Sequence, residues 1–301
     1  MDLGTNTFHL LIAEGIPTLY KELHHEHVAT KLGEGGINNG LIQPAAFERG
    51  VQAMIVFSDH IKSHGITEIK AIATSAIRSA SNGKDFIERV KAHTAIAIET
   101  IDGDHEAEYI FKGVKNCGAL TGQKSLIVDI GGGSIELIIA DRDIIYWKSS
   151  FEIGAARLMD MFHQTDPIPT QSVADIEHYL DEKLREFFAE AANYTIANII
   201  GSSGAFETFA EIEERNKGNN FDLKKIKTYQ FDNRSLLSLF DHLILSSHQE
   251  RLTNPYIIPV RVDMIVVASI VTKYLMQKLA IEYVTMSIYS LKEGVLAEML
   301  A

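Results

Sequence analysis

One cysteine, Cys117, stands alone among 301 residues. It has no partner for an internal disulfide, which argues against a stapled secreted scaffold and for a reducing cytoplasm. Proline and tryptophan are scarce, at six and one, and no low-complexity linker interrupts the chain. No apolar run is long enough to cross a bilayer: the most apolar late run, Met264 to Val271, is closed by Lys273. Met1 leads directly into Asp2, without the basic and apolar regions of a signal peptide, so none is expected. Positive charge is also short, with 28 Lys and Arg against 40 Asp and Glu, a net charge of −12. That balance argues against a nucleic-acid partner met by a broad basic face. It still allows a polyanion in a cleft whose local cations reverse the sign. Lys224, Lys225 and Lys227 form the densest basic cluster and read as a solvated face.

What the chain does have is concentrated between Ser125 and Tyr146, SLIVDIGGGSIELIIADRDIIY. The pattern is strand, tight turn, strand, turn, strand. Gly131-Gly132-Gly133 has no side chains to keep an anion from the main chain, so its N–H groups can converge on a phosphate, with the Ser134 hydroxyl beside them. Asp129 and Glu136 at the shoulders would repel a bare phosphate. Their presence points to a divalent cation between acid and anion; the alternative is a glycine-rich hairpin with charged shoulders. A weaker copy opens the chain: Asp2, then Gly4-Thr5-Asn6-Thr7, then the apolar strand Phe8 to Ala13. Two such hairpins, a domain's length apart, would grip a phosphate chain from both sides.

Between them, Pro44 starts a helix carrying Phe47, Val51, Met54, Ile55 and Ile61. A strand, Glu68 to Ala73, ends at Thr74-Ser75 and leads to Arg78. A guanidinium there suits bidentate phosphate binding, although an isolated arginine also reads as a surface ion-pair partner. After the Gly103 turn, Glu106, Ile110 and Val114 share one helical face. An acid on that face is either a paired core carboxylate or a positioned base. Further on, Val173 to Phe188 reads as one amphipathic stretch. Ile196 to Ile200 is a buried strand entering Gly201-Ser202-Ser203-Gly204, which is either a ligand-adjacent turn or a simple strand-to-helix connection. His24, His25 and His27 read as solvated, and His60 and His242 as ordinary neighbours of aspartate.

DLGTNTFHLLIAEG, ATSAIR, GDHEAEYIFKGV, DIGGGSIEL and the closing PVRVDMIVVA and SLKEGVLAEML occur in that order. Together they resemble the exopolyphosphatase/guanosine pentaphosphate phosphohydrolase family over essentially the whole chain. The resemblance implies an α/β fold of two actin-like ATPase (ribonuclease H-like) domains, each a mixed sheet with flanking helices, and a cleft between them. The expected domains are residues 1–113 and 114–301, with the last helix packed back on the first. In the family pattern the glutamate before alanine is catalytic, which maps to Glu106. Asp104-His105 departs from the usual Glu-Glu, and Lys292 replaces a common arginine, which weakens a bidentate anion contact there. Arg157, and Arg261 with Asp263, read as structural.

The resulting expectation is a cytoplasmic hydrolase of terminal phosphoanhydrides. Glu106 and Arg78 are the catalytic residues. Gly4, Thr5, Asn6, Thr7, Arg78, Gly131, Gly132, Gly133 and Ser134 bind phosphate, and Asp129, Glu136 and Asp2 hold Mg²⁺. Polyphosphate or guanosine pentaphosphate is the substrate, and a homodimer is left open. The extra C-terminal domains of longer relatives are expected to be absent, so short polyphosphates or guanosine pentaphosphate are expected to be favoured and long chains released between cuts. A kinase or ATPase of the same fold, or a non-catalytic alarmone or polyphosphate sensor, are the competing readings.

Overall fold

The computed structural model describes residues 1–17, 19–202 and 204–301. In chain order its elements are β1 (Asp2–Leu3), β2 (Thr7–Ile16), β3 (Leu19–Ala29), α1 (Pro44–Ser63), β4 (Ala71–Ala73), α2 (Ser75–Ser79), α3 (Gly83–Thr94), β5 (Ile98–Thr100) and α4 (Gly103–Cys117). They continue with β6 (Ser125–Ile130), β7 (Ile135–Ala140), β8 (Ile145–Phe151), α5 (Ala155–Phe162), α6 (Thr170–Lys183), α7 (Arg185–Ala191) and β9 (Asn198–Ser202). The chain closes with α8 (Gly204–Asn216), β10 (Thr228–Gln230), α9 (Asn233–Leu245), α10 (His248–Thr253), α11 (Met264–Leu279), β11 (Val284–Ser287) and α12 (Leu291–Met299).

These strands make two sheets on one plan, ordered β3-β2-β1-β4-β5 and β10-β11-β9-β6-β7-β8. In each, a central strand opens an antiparallel hairpin on one side and meets a parallel crossover strand on the other: β1 lies between β2 and β4, and β6 between β7 and β9. Asp2 and Asp129 therefore occupy equivalent places on their central strands. Asp2 faces His9 across its hairpin, and Asp129 faces Glu136 across its own. Strands β6 and β7 are buried along their whole length, as strands covered on both faces must be. One face packs on α5, α6, α7, α9 and α11, and the other on α4 and α12 through Ile110, Val114, Ile127, Ile138 and Val295. The first sheet has its own core, with Phe8, Leu10, Phe57 and Phe86 at its centre.

Helix α4 passes between the two halves. The expected boundary after residue 113 falls inside it, and its helical bonding continues to Cys117. The sheets draw on residues 2–100 and 125–287. Helix α12 packs along α4 where two glycines meet. A side chain at Gly294 would overlap the Tyr109 carbonyl, and one at Gly113 the Ser290 carbonyl. Beside this crossing, Glu298 accepts from Tyr109 Oη at 2.7 Å, Lys112 Nζ at 2.5 Å and Lys70 Nζ at 3.0 Å. The expected stretch Val173 to Phe188 is two helices, because Leu184 leaves the helical conformation between α6 and α7. Among the described residues no helix is long and apolar enough to cross a membrane.

The Glu298 cluster has a pH signature. Hydrogen bonds from Lys112, Tyr109 and Lys70 pull its carboxyl from 4.5 down to about 2 in the folded protein. A depressed folded pKa stabilises above the unfolded value and is lost as pH falls through the folded one, here from about 4.5 to about 2. Urea midpoints taken near pH 7 and across that acid window should show a smaller acid loss for Glu298→Gln than for the parent chain. An equal loss would mean the cluster contributes nothing to acid stability.

Candidate functional site

A cleft of about 850 Å³ opens between the two sheets. Its walls carry Gly4 to Thr7 after β1, and Gly131 to Ser134 after β6. The two loops touch. A side chain at Gly132 would strike the Asn6 side chain, and one at Gly133 would lie 2.5 Å from Ser75 Oγ and 2.6 Å from Thr5 Oγ1. Glycine is required here by close approach between two chain segments.

The second loop is held from behind. Ala155 N donates to Gly131 O and Ala156 N to Gly132 O, both at 2.9 Å, and Gly154 N donates to Gly133 O at 3.2 Å. Arg157 Nε adds a bond to Gly133 O at 2.8 Å. Three successive carbonyls thus point at the start of α5. In a planar trans peptide the following N–H points the opposite way, so the amides of Gly132, Gly133 and Ser134 are directed away from α5. That makes the loop a concave set of donors built by the neighbouring helix. Arg157 also donates to Ile37 O at 2.8 Å and pairs with Glu152, tying the loop to the first half.

The acids singled out in the sequence, Asp2, Glu106, Asp129 and Glu136, reach the same cleft, which Glu22, Glu207 and Glu293 also line. Asp102 caps α4 by accepting from His105 N at 2.9 Å, and His105 Nδ1 lies 2.9 Å from the same oxygen. His105 therefore helps to set the helix start. Gly103 lets that end lie directly on Ser150, which a side chain there would strike. Glu106 then falls in the first turn, at the positive end of the helix. Arg78 Nη1 donates to Glu106 at 2.9 Å and to Ile101 O at 3.1 Å, while its Nη2 reaches Glu152 at 3.0 Å. In this structure the Arg78 guanidinium orients the acid. Glu152, for which the sequence offers no local signal, joins Arg78, Arg157 and Ser75 Oγ, the last at 3.0 Å.

Burial dominates the electrostatics. Desolvation and then the Asp129 charge raise Glu136 to about 7, although Ser150 and Ser134 hydrogen-bond to it. Desolvation also raises Asp2 to about 7, against the pull of Lys292 and the amino terminus. Glu106 is pushed well above its ordinary value by burial and by Glu136, with Arg78 opposing. Asp129 accepts from Ser202 Oγ at 3.0 Å. Oxygen donors alone suit a hard cation. Asp2, Asp129 and Glu136 are not among the described groups with three ligand atoms within 4.8 Å of one another. A cation on them would share its shell with water or ligand oxygens, as Mg²⁺ does.

Several residues expected to be bystanders stand in the cleft instead. His25 and His27 line it, together with His9, because β3 runs beside β2 and pairs His27 with His9. Both are exposed, as expected of solvated residues, but the solvent they face is that of the cleft; no local pattern marks residues 19–29 as a strand. Burial holds the His9 imidazole well below its usual pKa, with Lys292, His25, His27 and Arg261 adding to the effect. Arg261 also lines the cleft and pairs with Glu207 at 2.9 Å, while Asp263 pairs with His248 at 2.8 Å. The expected Arg261–Asp263 pair is therefore not formed. Lys292 lies 3.1 Å from Glu293. Burial would lower its pKa, but Glu293, Glu207 and Asp2 raise it overall and keep it charged. Gly204 lies at the cleft wall; Ser203 lies outside the described residues.

Two glycine loops on duplicated sheets, meeting at an acid-lined cleft, define an actin-like ATPase fold. Within that class the chain belongs to the Ppx/GppA phosphatase family, whose pattern matches residues 11–301. Its fold is similar to that of an exopolyphosphatase from Cytophaga hutchinsonii, with a TM-score of 0.96 at 38% identity, covering 99% of this chain and 96% of that one. The exopolyphosphatase 2 of Mycobacterium tuberculosis is 26% identical over 308 residues, 98% of this chain and 96% of that protein. The Aquifex aeolicus PPX-GPPA enzyme shares the fold, with a TM-score of 0.80 at 24% identity over 99% of this chain and 97% of that one.

Contact between the loops gives a stability test. Gly133→Ala must displace Ser75 or Thr5, so urea unfolding should show a loss of about 1–3 kcal/mol. An unchanged midpoint would mean that the loops separate without cost.

Proposed function

We propose that this chain is a phosphohydrolase that removes the terminal phosphate of inorganic polyphosphate, and of guanosine pentaphosphate, by in-line attack of water. The observation that carries this reading is the meeting of both glycine loops with Asp2, Glu106, Asp129 and Glu136 in one cleft. The exopolyphosphatase names of the Cytophaga and Mycobacterium relatives support the same substrate class. Both substrates end in a triphosphate-like group, which the loops would read whether a nucleoside or more phosphate lies beyond it.

In this mechanism the loops Gly4 to Thr7 and Gly131 to Ser134 bind the terminal phosphate oxygens, and Arg78 adds its guanidinium while holding Glu106. The second loop binds through the amides of Gly132, Gly133 and Ser134; in the first, the Gly4 amide already donates to Thr7 O at 3.1 Å. Asp129, Glu136 and Asp2 would hold Mg²⁺. When bound, that ion offsets the charge of the phosphates and of the departing oxygen. Glu106 orients the attacking water and takes its proton. The water oxygen bonds to the terminal phosphorus as the bridging P–O bond breaks. The electron pair leaves with the shortened chain, and orthophosphate is released. Positioning and charge neutralisation supply the catalysis, and no covalent nucleophile is required. Lys292 and Arg261 give the rest of the polyanion cationic partners inside an acidic protein, while His9, kept neutral near pH 7 by burial, adds a hydrogen-bonding group and no charge.

Glu106→Gln keeps the shape and the Arg78 contact but removes the base. Turnover should fall about 10²–10⁴-fold with substrate binding largely kept. Near-normal turnover, measured as phosphate release on both substrates side by side, would remove Glu106 from the chemistry. Asp129→Asn and Glu136→Gln should each raise the Mg²⁺ concentration for half-maximal rate as well as slow turnover. A slower enzyme with unaltered Mg²⁺ dependence would place these acids in a structural role.

A further inference from the structure

Strand β3 has a second face. His25 and His27 line the cleft, so the alternation of the strand sends His24 and Glu26 to the opposite side, beside α1. There Glu26 Oε2 lies 3.4 Å from His24 Nε2 and 3.3 Å from His60 Nε2. The His24 and His60 rings stack with centroids 4.6 Å apart. One ligand atom from each of the three residues lies within 4.8 Å of the others. One turn along α1, the His64 ring is 5.4 Å from that of His24. His64 Nδ1 faces the His60 carbonyl oxygen at 2.8 Å. A carbonyl only accepts, so the proton sits on Nδ1 and the Nε2 lone pair is left for a ligand. The His60–His64 spacing, four residues on one helix, is present in the sequence, but only the fold brings His24 and Glu26 to it.

We propose that His24, Glu26 and His60 form a binding site for a divalent d-block cation such as Zn²⁺, with His64 as a fourth ligand. Two imidazole nitrogens and one carboxylate oxygen are a zinc-type donor set, whereas the all-oxygen cleft suits Mg²⁺. Zinc–nitrogen bonds of about 2.0–2.1 Å set tetrahedral ligand atoms roughly 3.3–3.4 Å apart. The two separations to Glu26 already match; His64 lies outside that 4.8 Å group, so its imidazole has to swing in to become the fourth ligand. The three side chains are between 26% and 38% exposed, which leaves the ion a path from solvent. A cation here would fasten β3 to α1 directly behind the cleft wall that carries His25 and His27.

The test uses Zn²⁺ alone as the probe, on the full chain near neutral pH with Mg²⁺ in excess, in competition with a chromophoric chelator. One tight equivalent is expected. The double variant His24→Asn with His60→Asn, checked for folding by circular dichroism, should weaken it at least about tenfold, and Asp129→Asn should leave it unchanged. Co²⁺ should give an imidazole-ligated visible spectrum in the parent chain that the double variant lacks. Glu26→Gln keeps both imidazoles and provides a second variant if the double one does not fold; it too should weaken binding. Absence of a tight equivalent, retention of full affinity in the double variant or in Glu26→Gln, or loss confined to Asp129→Asn would each overturn the proposal.

Discussion

Crowding of buried acids is the constraint on which the rest of the site depends. Asp129 and Glu136 are directly opposed across β6 and β7, and facing residues in such a pair have Cβ atoms about 4.5–5.5 Å apart. Two carboxylates at that separation repel by roughly 3 kcal/mol at an effective dielectric near 20. Asp2 and Glu106 add to the same space, and burial raises Asp2, Glu106 and Glu136 markedly. Such a set persists only if protons, cations or oriented dipoles offset its charge. The chain supplies cations and dipoles of its own: Arg78 on Glu106, the hydroxyls of Ser150 and Ser202 on Glu136 and Asp129, and the start of α4 beneath Glu106.

The duplicated architecture brings these acids together. Each half ends its central strand at an acid and a glycine turn, and the turns meet because the glycines of the second leave room for the side chains of the first. Glu152 and Arg157 then connect the halves through ion pairs and carbonyl contacts, so that Arg78, from the first half, is positioned by an acid from the second. Helix α4 serves both halves: one end presents Glu106, and the other packs with α12 at a glycine crossing.

Much of this is legible in the residues. The strands around Gly131 to Gly133 and helix α11, Met264 to Leu279, follow from apolar runs bounded by turn residues. The family resemblance leads to the actin-like fold. The remainder is set by tertiary pairing. Strand β3 is polar and rich in histidine, so its pairing with β2 and its two faces have no local signal. Glu152 lies in a segment whose role emerges only when Arg78 and Arg157 converge on it. Arg261 has Asp263 as its neighbour in sequence, but Glu207 reaches it across the fold. Leu184 breaks what its apolar periodicity presents as one helix.

Attack of water on the terminal phosphorus of a bound polyphosphate end is the step from which the proposed function stands or falls. Hydrolysis under single-turnover conditions in ¹⁸O-water, with Mg²⁺ and no added acceptor, tests it most directly. The predicted result is one ¹⁸O atom in each released orthophosphate and none at the new end of the shortened chain. Label at the new chain end would place the attack on the wrong phosphorus. Bound polyphosphate with no orthophosphate released would contradict hydrolysis altogether.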